Sequence, residues 1–160
     1  MRIRKARISD LDQIVELGYK LLKHHCRYRN YYQTSPNKAE RIKHQKKYFR
    51  KELKSRNSHF LVAEQHGRLI GYVIGKIVNN PIILKEKKHG DVAEIYVDKA
   101  YRGKGLGTKL MKACFEWFKK RKVSRAVVKY DAKNKQAENT YRKSGFRPFQ
   151  NEYSLDLVKR

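Results

Sequence analysis

The chain has 160 residues, the length of one ordinary domain, and carries 40 Lys+Arg against 15 Asp+Glu for a net charge of +25. That length buries a core without help from disulfides or metal, and Cys26 and Cys114 are too isolated from each other and from histidine to suggest a zinc site or a disulfide framework. No stretch approaches the ~18 consecutive apolar residues of a membrane span, and the N-terminal MRIRKARISD lacks the apolar segment of a signal peptide, so a cytoplasmic protein without membrane attachment is expected.

The positive field draws polyanions, which leaves nucleic acid, an acidic protein surface and an anionic cofactor all open as partners. A lysine-rich proteome or adaptation to heat would produce part of the same charge. The acceptable partners therefore have to be narrowed by motif, not by charge.

In chain order, Arg2 to Ile8 alternates and predicts a first strand. Ser9-Asp10-Leu11-Asp12 resembles a capping box opening a helix with Leu11, Ile14, Val15, Leu17, Leu21 and Leu22 on one side, fading at His24-His25-Cys26. The adjacent histidines do not share a helix face, so no metal is expected there. The tyrosine-rich segment from Tyr28 to Pro36 reads as a loop, and Ser35-Pro36 supplies a helix start. Asn37 to Arg56 reads as a very basic helix, either a solvated face or a landing surface for an acidic partner or nucleic acid. His59 to Glu64 and Arg68 to Val78 form a hairpin about His66-Gly67. Asn79 to Gly90 reads as a loop, Val92 to Val97 as a buried strand, and Leu106 to about Arg121 as a helix with Cys114 on its apolar side. Ser124 to Tyr130 is a further strand, Asn134 to Ser144 a short helix ended by Gly145, and Phe146 to Leu157 a closing strand or pair. The order β-α-α-β-β-β-α-β-α-β describes one α/β domain over residues 1–160, with a mixed, mostly antiparallel twisted sheet flanked by helices.

The stretch that carries chemistry is Val92 to Lys109: a strand, then Arg102-Gly103-Lys104-Gly105-Leu106-Gly107, then a helix. Glycines permit φ > 0 and a close backbone approach, and the unpaired N–H groups of a helix start attract phosphate. A Walker A loop fails because no glycine pair precedes Lys-Ser/Thr at the needed spacing. A dinucleotide fingerprint fails because Thr108 stands where a third glycine is required. What remains is Arg102-x-x-Gly105-x-Gly107 after a strand ending Ile95-Tyr96-Val97.

This pattern resembles the Q/R-x-x-G-x-G/A signature of the GCN5-related N-acetyltransferases, the GNAT superfamily. Asn134-x-x-Ala137-x-x-x-Tyr141-x-x-x-Gly145-Phe146 resembles that family's second segment, in the right order and on the expected elements. The resemblance implies the GNAT fold, acetyl-CoA as cosubstrate, and direct attack of a primary amine on the thioester. It implies a pyrophosphate held by Arg102, Gly103, Lys104, Gly105, Leu106, Gly107 and Thr108, with Lys109 adding charge. It implies a pantetheine arm along the backbone of Ile95, Tyr96 and Val97, a backbone amide near Val97 facing the developing oxyanion, and contributions from Asn134 and Ala137. Tyr141 matches the family's general acid, with a reference pKa of about 10. Glu94, the one carboxylate in the predicted Val92–Val97 strand, is the candidate base, through water, against a structural role; Glu64 and Asp131 are weaker candidates. Strict alternation places Glu94 and Tyr96 on one face, and Ala93, Ile95 and Val97 on the other. The acceptor is left open between a protein N-terminus or lysine in an acidic context and an anionic small amine; the oligomeric state is open too, a dimer being plausible. The alternative from another class is a GNAT-fold binding or regulatory protein that uses its basic surface.

Overall fold

In the computed structural model, which describes residues 1–28 and 37–154, five strands lie side by side in chain order. They are β1 (Arg2–Lys5), β2 (Ser58–Gln65), β3 (Arg68–Asn79), β4 (Lys88–Val97) and β5 (Ala126–Val127). The first four pair antiparallel and β5 joins β4 in parallel, which makes the sheet mixed. Around it lie α1 (Leu11–His25), α2 (Lys38–Lys54), α3 (Leu106–Lys120) and α4 (Lys135–Lys143).

The sheet is apolar on both faces because helices cover both. Along β2, Phe60 and Val62 enter one core with Tyr72, Ile74 and Tyr96, against Leu11, Ile14 and Phe49 of α1 and α2. Leu61 and Ala63, the alternate residues, enter a second core with Val73 and Val92, against Leu110, Cys114 and Phe118 of α3. A strand buried on both sides reads as a continuous apolar run, as HFLVA does. Burial lifts the Cys114 thiol to about 12, which suits an inert core residue.

Several boundaries differ from the sequence-based expectation. α1 is preceded by a 3-10 turn, and Asp10, not Ser9, organises the start: its carboxylate accepts from the Arg7 N–H at 2.7 Å and from both terminal nitrogens of Arg4 at 2.7 and 2.9 Å. The Arg4 guanidinium holds the Asp10 carboxyl below its ordinary range. Asn37 caps α2 by accepting from the N–H groups of Ala39 and Glu40; the Ser35-Pro36 signal and the tyrosine-rich loop beyond Tyr28 lie outside the described residues. α2 shows Lys43, Lys47, Arg50, Lys51 and Lys54 to solvent and buries Phe49 and Glu52.

β4 begins at Lys88 and takes in residues expected to be loop, because the long β3 offers Ile77, Val78 and Asn79 as partners for Gly90, His89 and Lys88. Conversely, the strand expected over Ser124–Tyr130 shrinks to Ala126–Val127. No closing strand forms over residues 146–154, and Leu155 to Leu157 lie outside the described residues. Pro148 cannot donate to a ladder, and Phe149 and Tyr153 stand exposed. Among the described residues no helix is long and apolar enough to cross a membrane, and no group of three His, Cys, Asp or Glu side chains is arranged to hold a metal ion.

Candidate active site

The glycine turn delivers α3 with an open end. Gly103 and Gly105 sit at φ +77° and +74°, a region that costs an L side chain about 1–2 kcal/mol. Gly105 is the N-cap, and no side chain caps the helix. The first intrahelical bond runs from Lys109 N–H to Gly105 C=O, so the N–H groups of Leu106, Gly107 and Thr108 point out of the helix end unpaired within it. Leu106 contributes only backbone here, because its side chain is buried in the α3 core. Lys104 is exposed and does not line the groove described below, so its expected role narrows to charge at the rim.

β4 carries the other wall. Its pairing with β3 shifts between Ile74 and Gly75, whose partners are Glu94 and Val92, so Ala93 is the extra residue of a β-bulge. From Glu94 onward the expected alternation holds: Tyr96 enters the α1/α2 core, while Ile95 and Val97 pack toward α3. Behind the bulge it fails, and Val92 joins the α3 side with Ile95. β5 pairs with β4 only before the bulge, at Gly90↔Ala126 and Asp91↔Val127. Past that point no strand among the described residues covers the outer edge of Ile95, Tyr96 and Val97. An open edge of this kind accepts an extended chain by backbone hydrogen bonds. The Arg102 side chain is committed to closing the turn: its Nε donates to Val97 C=O at 2.9 Å and its guanidinium sits 5.4 Å from the Tyr96 ring centroid.

Opposite stands α4, a nine-residue helix held at both ends. The buried Asn134 side chain accepts from Ala137 N–H at 3.0 Å, the geometry of an N-cap. At the other end Gly145 adopts φ +92°, its N–H bonds to Arg142 C=O at 3.0 Å, and Phe146 N–H bonds to Tyr141 C=O at 3.1 Å. This is a Schellman motif, completed by the Phe146 ring packing 5.9 Å from that of Tyr141. The spacing Asn-x-x-Ala-x-x-x-Tyr-x-x-x-Gly-Phe is therefore the recipe for a doubly capped helix that immobilises one tyrosine. Asn134→Ala should cost about 1 kcal/mol and lower the melting temperature by about 2–4 °C, read by thermal unfolding. Tyr141 is largely buried between Tyr130 and Phe146, and burial, reinforced by Tyr130, pushes its phenol up to about 12.

These pieces meet. One groove is lined by Glu94, Ile95, Tyr96 and Val97 of β4, by Arg102, Gly103, Gly105, Leu106, Gly107 and Thr108 of the turn, and by Asn134, Ala137 and Tyr141. Glu94 lines it from the α1/α2 side and accepts from the Tyr72 hydroxyl at 2.6 Å; burial raises its pKa, against the opposing pull of Tyr72 and Tyr48. Glu94 is not the only carboxylate of β4, since the longer strand includes Asp91, whose pKa burial also raises. Asp131 lines the groove too, but Glu64 does not and is taken up by Arg4. Sequence reasoning missed His24 and His25 as lining residues, and Tyr48 and Tyr72 as partners of Glu94. Tyr72 looks like any core residue of an apolar strand, and only the strand register reveals its neighbour.

Comparison with known proteins bears on the family and the fold. The model of the acetyltransferase (GNAT) family matches residues 22–146. An N-alpha-acetyltransferase of Sulfurisphaera tokodaii is 29% identical over 91% of this chain and 80% of its own. An uncharacterized N-acetyltransferase of Archaeoglobus fulgidus is 30% identical over 73% of each. A crystal structure of a Bacillus halodurans protein superposes with a TM-score of 0.84 at 20% identity, over 98% of this chain and all of that one. A predicted acetyltransferase of Clostridium acetobutylicum, crystallised with acetyl-CoA, does so with a TM-score of 0.78 at 18% identity, over 98% and 96%. At those identities the two structures speak for the fold.

Proposed function

The chain belongs to the GNAT acetyltransferase family, whose members use acetyl-CoA, and from that premise we propose that it acetylates the α-amino group of polypeptide N-termini. The observation that carries the catalytic reading is the doubly capped α4, which fixes Tyr141 across the groove from the open edge of β4. The turn amides and the α3 N-terminus take the pyrophosphate, and Ile95 to Val97 take the pantetheine arm. Glu94 receives the amine's proton through water, and a backbone amide near Val97 faces the charge that builds on the thioester oxygen. Tyr141 donates its proton to the departing thiolate.

Two considerations favour an α-amine. Its ordinary pKa of about 8 lies far closer to neutrality than the ~10.4 of lysine, so a weak carboxylate base suffices. A relative similar over most of the chain is named an N-alpha-acetyltransferase. A strongly basic surface also disfavours polycationic acceptors and suits an N-terminus in an acidic context.

The test is thiol release from acetyl-CoA with paired peptides, one with a free N-terminus and no lysine, one N-terminally blocked with an internal lysine. Transfer to the first alone is expected. Transfer only to lysine would overturn the acceptor, and no acetyl-CoA binding at millimolar ligand would overturn the enzyme reading itself.

A further inference from the structure

Glu94 is a carboxylate in a place that disfavours charge. It lies at the bulge of β4 and is largely buried, with Glu52 of α2 adding repulsion to the burial. The groups that act on it are Tyr48 and Glu52 from α2 and Tyr72 and Lys76 from β3; Asp91 and Tyr96 of its own strand act in turn on Tyr48 and Tyr72. Lys76 is drawn off: its Nζ bonds to Glu52 Oε1 at 2.9 Å and sits 4.9 Å from the Tyr48 ring centroid, while Ser58 occupies the second Glu52 oxygen. The hydrogen-bond partner left to Glu94 is a phenol. Tyr72 Oη donates at 2.6 Å to Oε2, and the Tyr48 phenol lies near enough to favour the charged form as well.

The Tyr72 ring is wholly enclosed by Phe49, Phe60 and Tyr96, an aromatic cluster that a phenylalanine would fill as well. Its hydroxyl is the part that packing does not require, and that hydroxyl meets Glu94. We propose that Tyr72 is a positioning residue for Glu94: its hydroxyl fixes the carboxylate beside the groove and, with the nearby Tyr48 phenol, keeps it ionised until it takes the acceptor's proton. This rests on the reading of Glu94 as the base.

A hydrogen bond donated to the charged form lowers proton affinity, so removing a donor raises it and shrinks the ionised fraction at neutral pH. Tyr72→Phe should lower kcat/KM at pH 7 about tenfold, move the acidic limb of the pH profile to higher pH, and recover activity as the pH rises. KM for acetyl-CoA should stay within about twofold, because neither Tyr48 nor Tyr72 lines the groove. Tyr48→Phe, at a half-buried position that tolerates change, should shift the limb the same way and serves if Tyr72→Phe does not fold.

The experiment pairs these profiles, taken with acetyl-CoA and a free-N-terminus peptide, with a carbon-13 NMR titration of the Glu94 carboxyl in each purified variant. Higher midpoints in both variants are expected, together with a Glu94→Gln enzyme that no pH restores. An inactive Glu94→Gln with unmoved midpoints and limbs would overturn this proposal alone. A Glu94→Gln enzyme of wild-type kcat/KM would overturn the base reading and the proposal together.

Discussion

Tyr141→Phe is expected to lower kcat by about 10²–10³-fold while KM for acetyl-CoA moves less than about threefold. The substitution removes one oxygen and keeps the ring, so the contacts with Tyr130 and Phe146 and the Schellman closure of α4 persist. The loss then falls on the step in which the thiolate departs. A phenol pushed up to about 12 stays protonated through the working pH range, so it adds no basic limb of its own near neutrality. Burial acts on the leaving group as well: a thiolate formed away from water is a stronger base than the ~8.5 of a free thiol, which offsets the weak acidity of the phenol. Steady-state thiol release measures both constants. Wild-type kcat in Tyr141→Phe would leave the residue a packing role only.

Gly105→Val is expected to raise the Kd for CoA at least about tenfold with the fold retained. The added Cβ meets no protein atom within 4 Å, so the turn can hold a side chain without collision. The cost has two other sources. A β-branched residue at φ +74° is strained by about 1–2 kcal/mol, and the side chain stands at the mouth of the unpaired N–H groups of α3. Titration calorimetry reads the affinity and thermal unfolding reads the strain. Unchanged affinity would remove the pyrophosphate from this turn.

The glycine turn and α4 were legible for a common reason. In each, the chemistry is encoded by residues a few positions apart: φ > 0 at Gly103, Gly105 and Gly145, and a tyrosine held one turn from the C-terminus of its helix; the N-cap role of Asn134 emerged only with the structure. Local backbone physics suffices for these, so spacing is evidence. The hairpin about His66-Gly67 and the buried face of α3 were readable on the same ground, the one from turn residues and the other from a 3.6-residue period.

The sequence by itself determined the order of elements from β1 to α4, the family, the glycine turn and the Gly145 end of α4. Only the tertiary structure decided that β4 starts at Lys88, that a bulge at Ala93 swings Val92 to the α3 side, and that β5 is two residues long. It alone placed the Tyr72 hydroxyl on Glu94, the Tyr48 phenol near it, and Lys76 on Glu52. Those are contacts between residues that are distant in the chain, set by strand register and by which helix covers which face. No local pattern records register, because shifting a pairing by one residue changes every neighbour while leaving the sequence as it was.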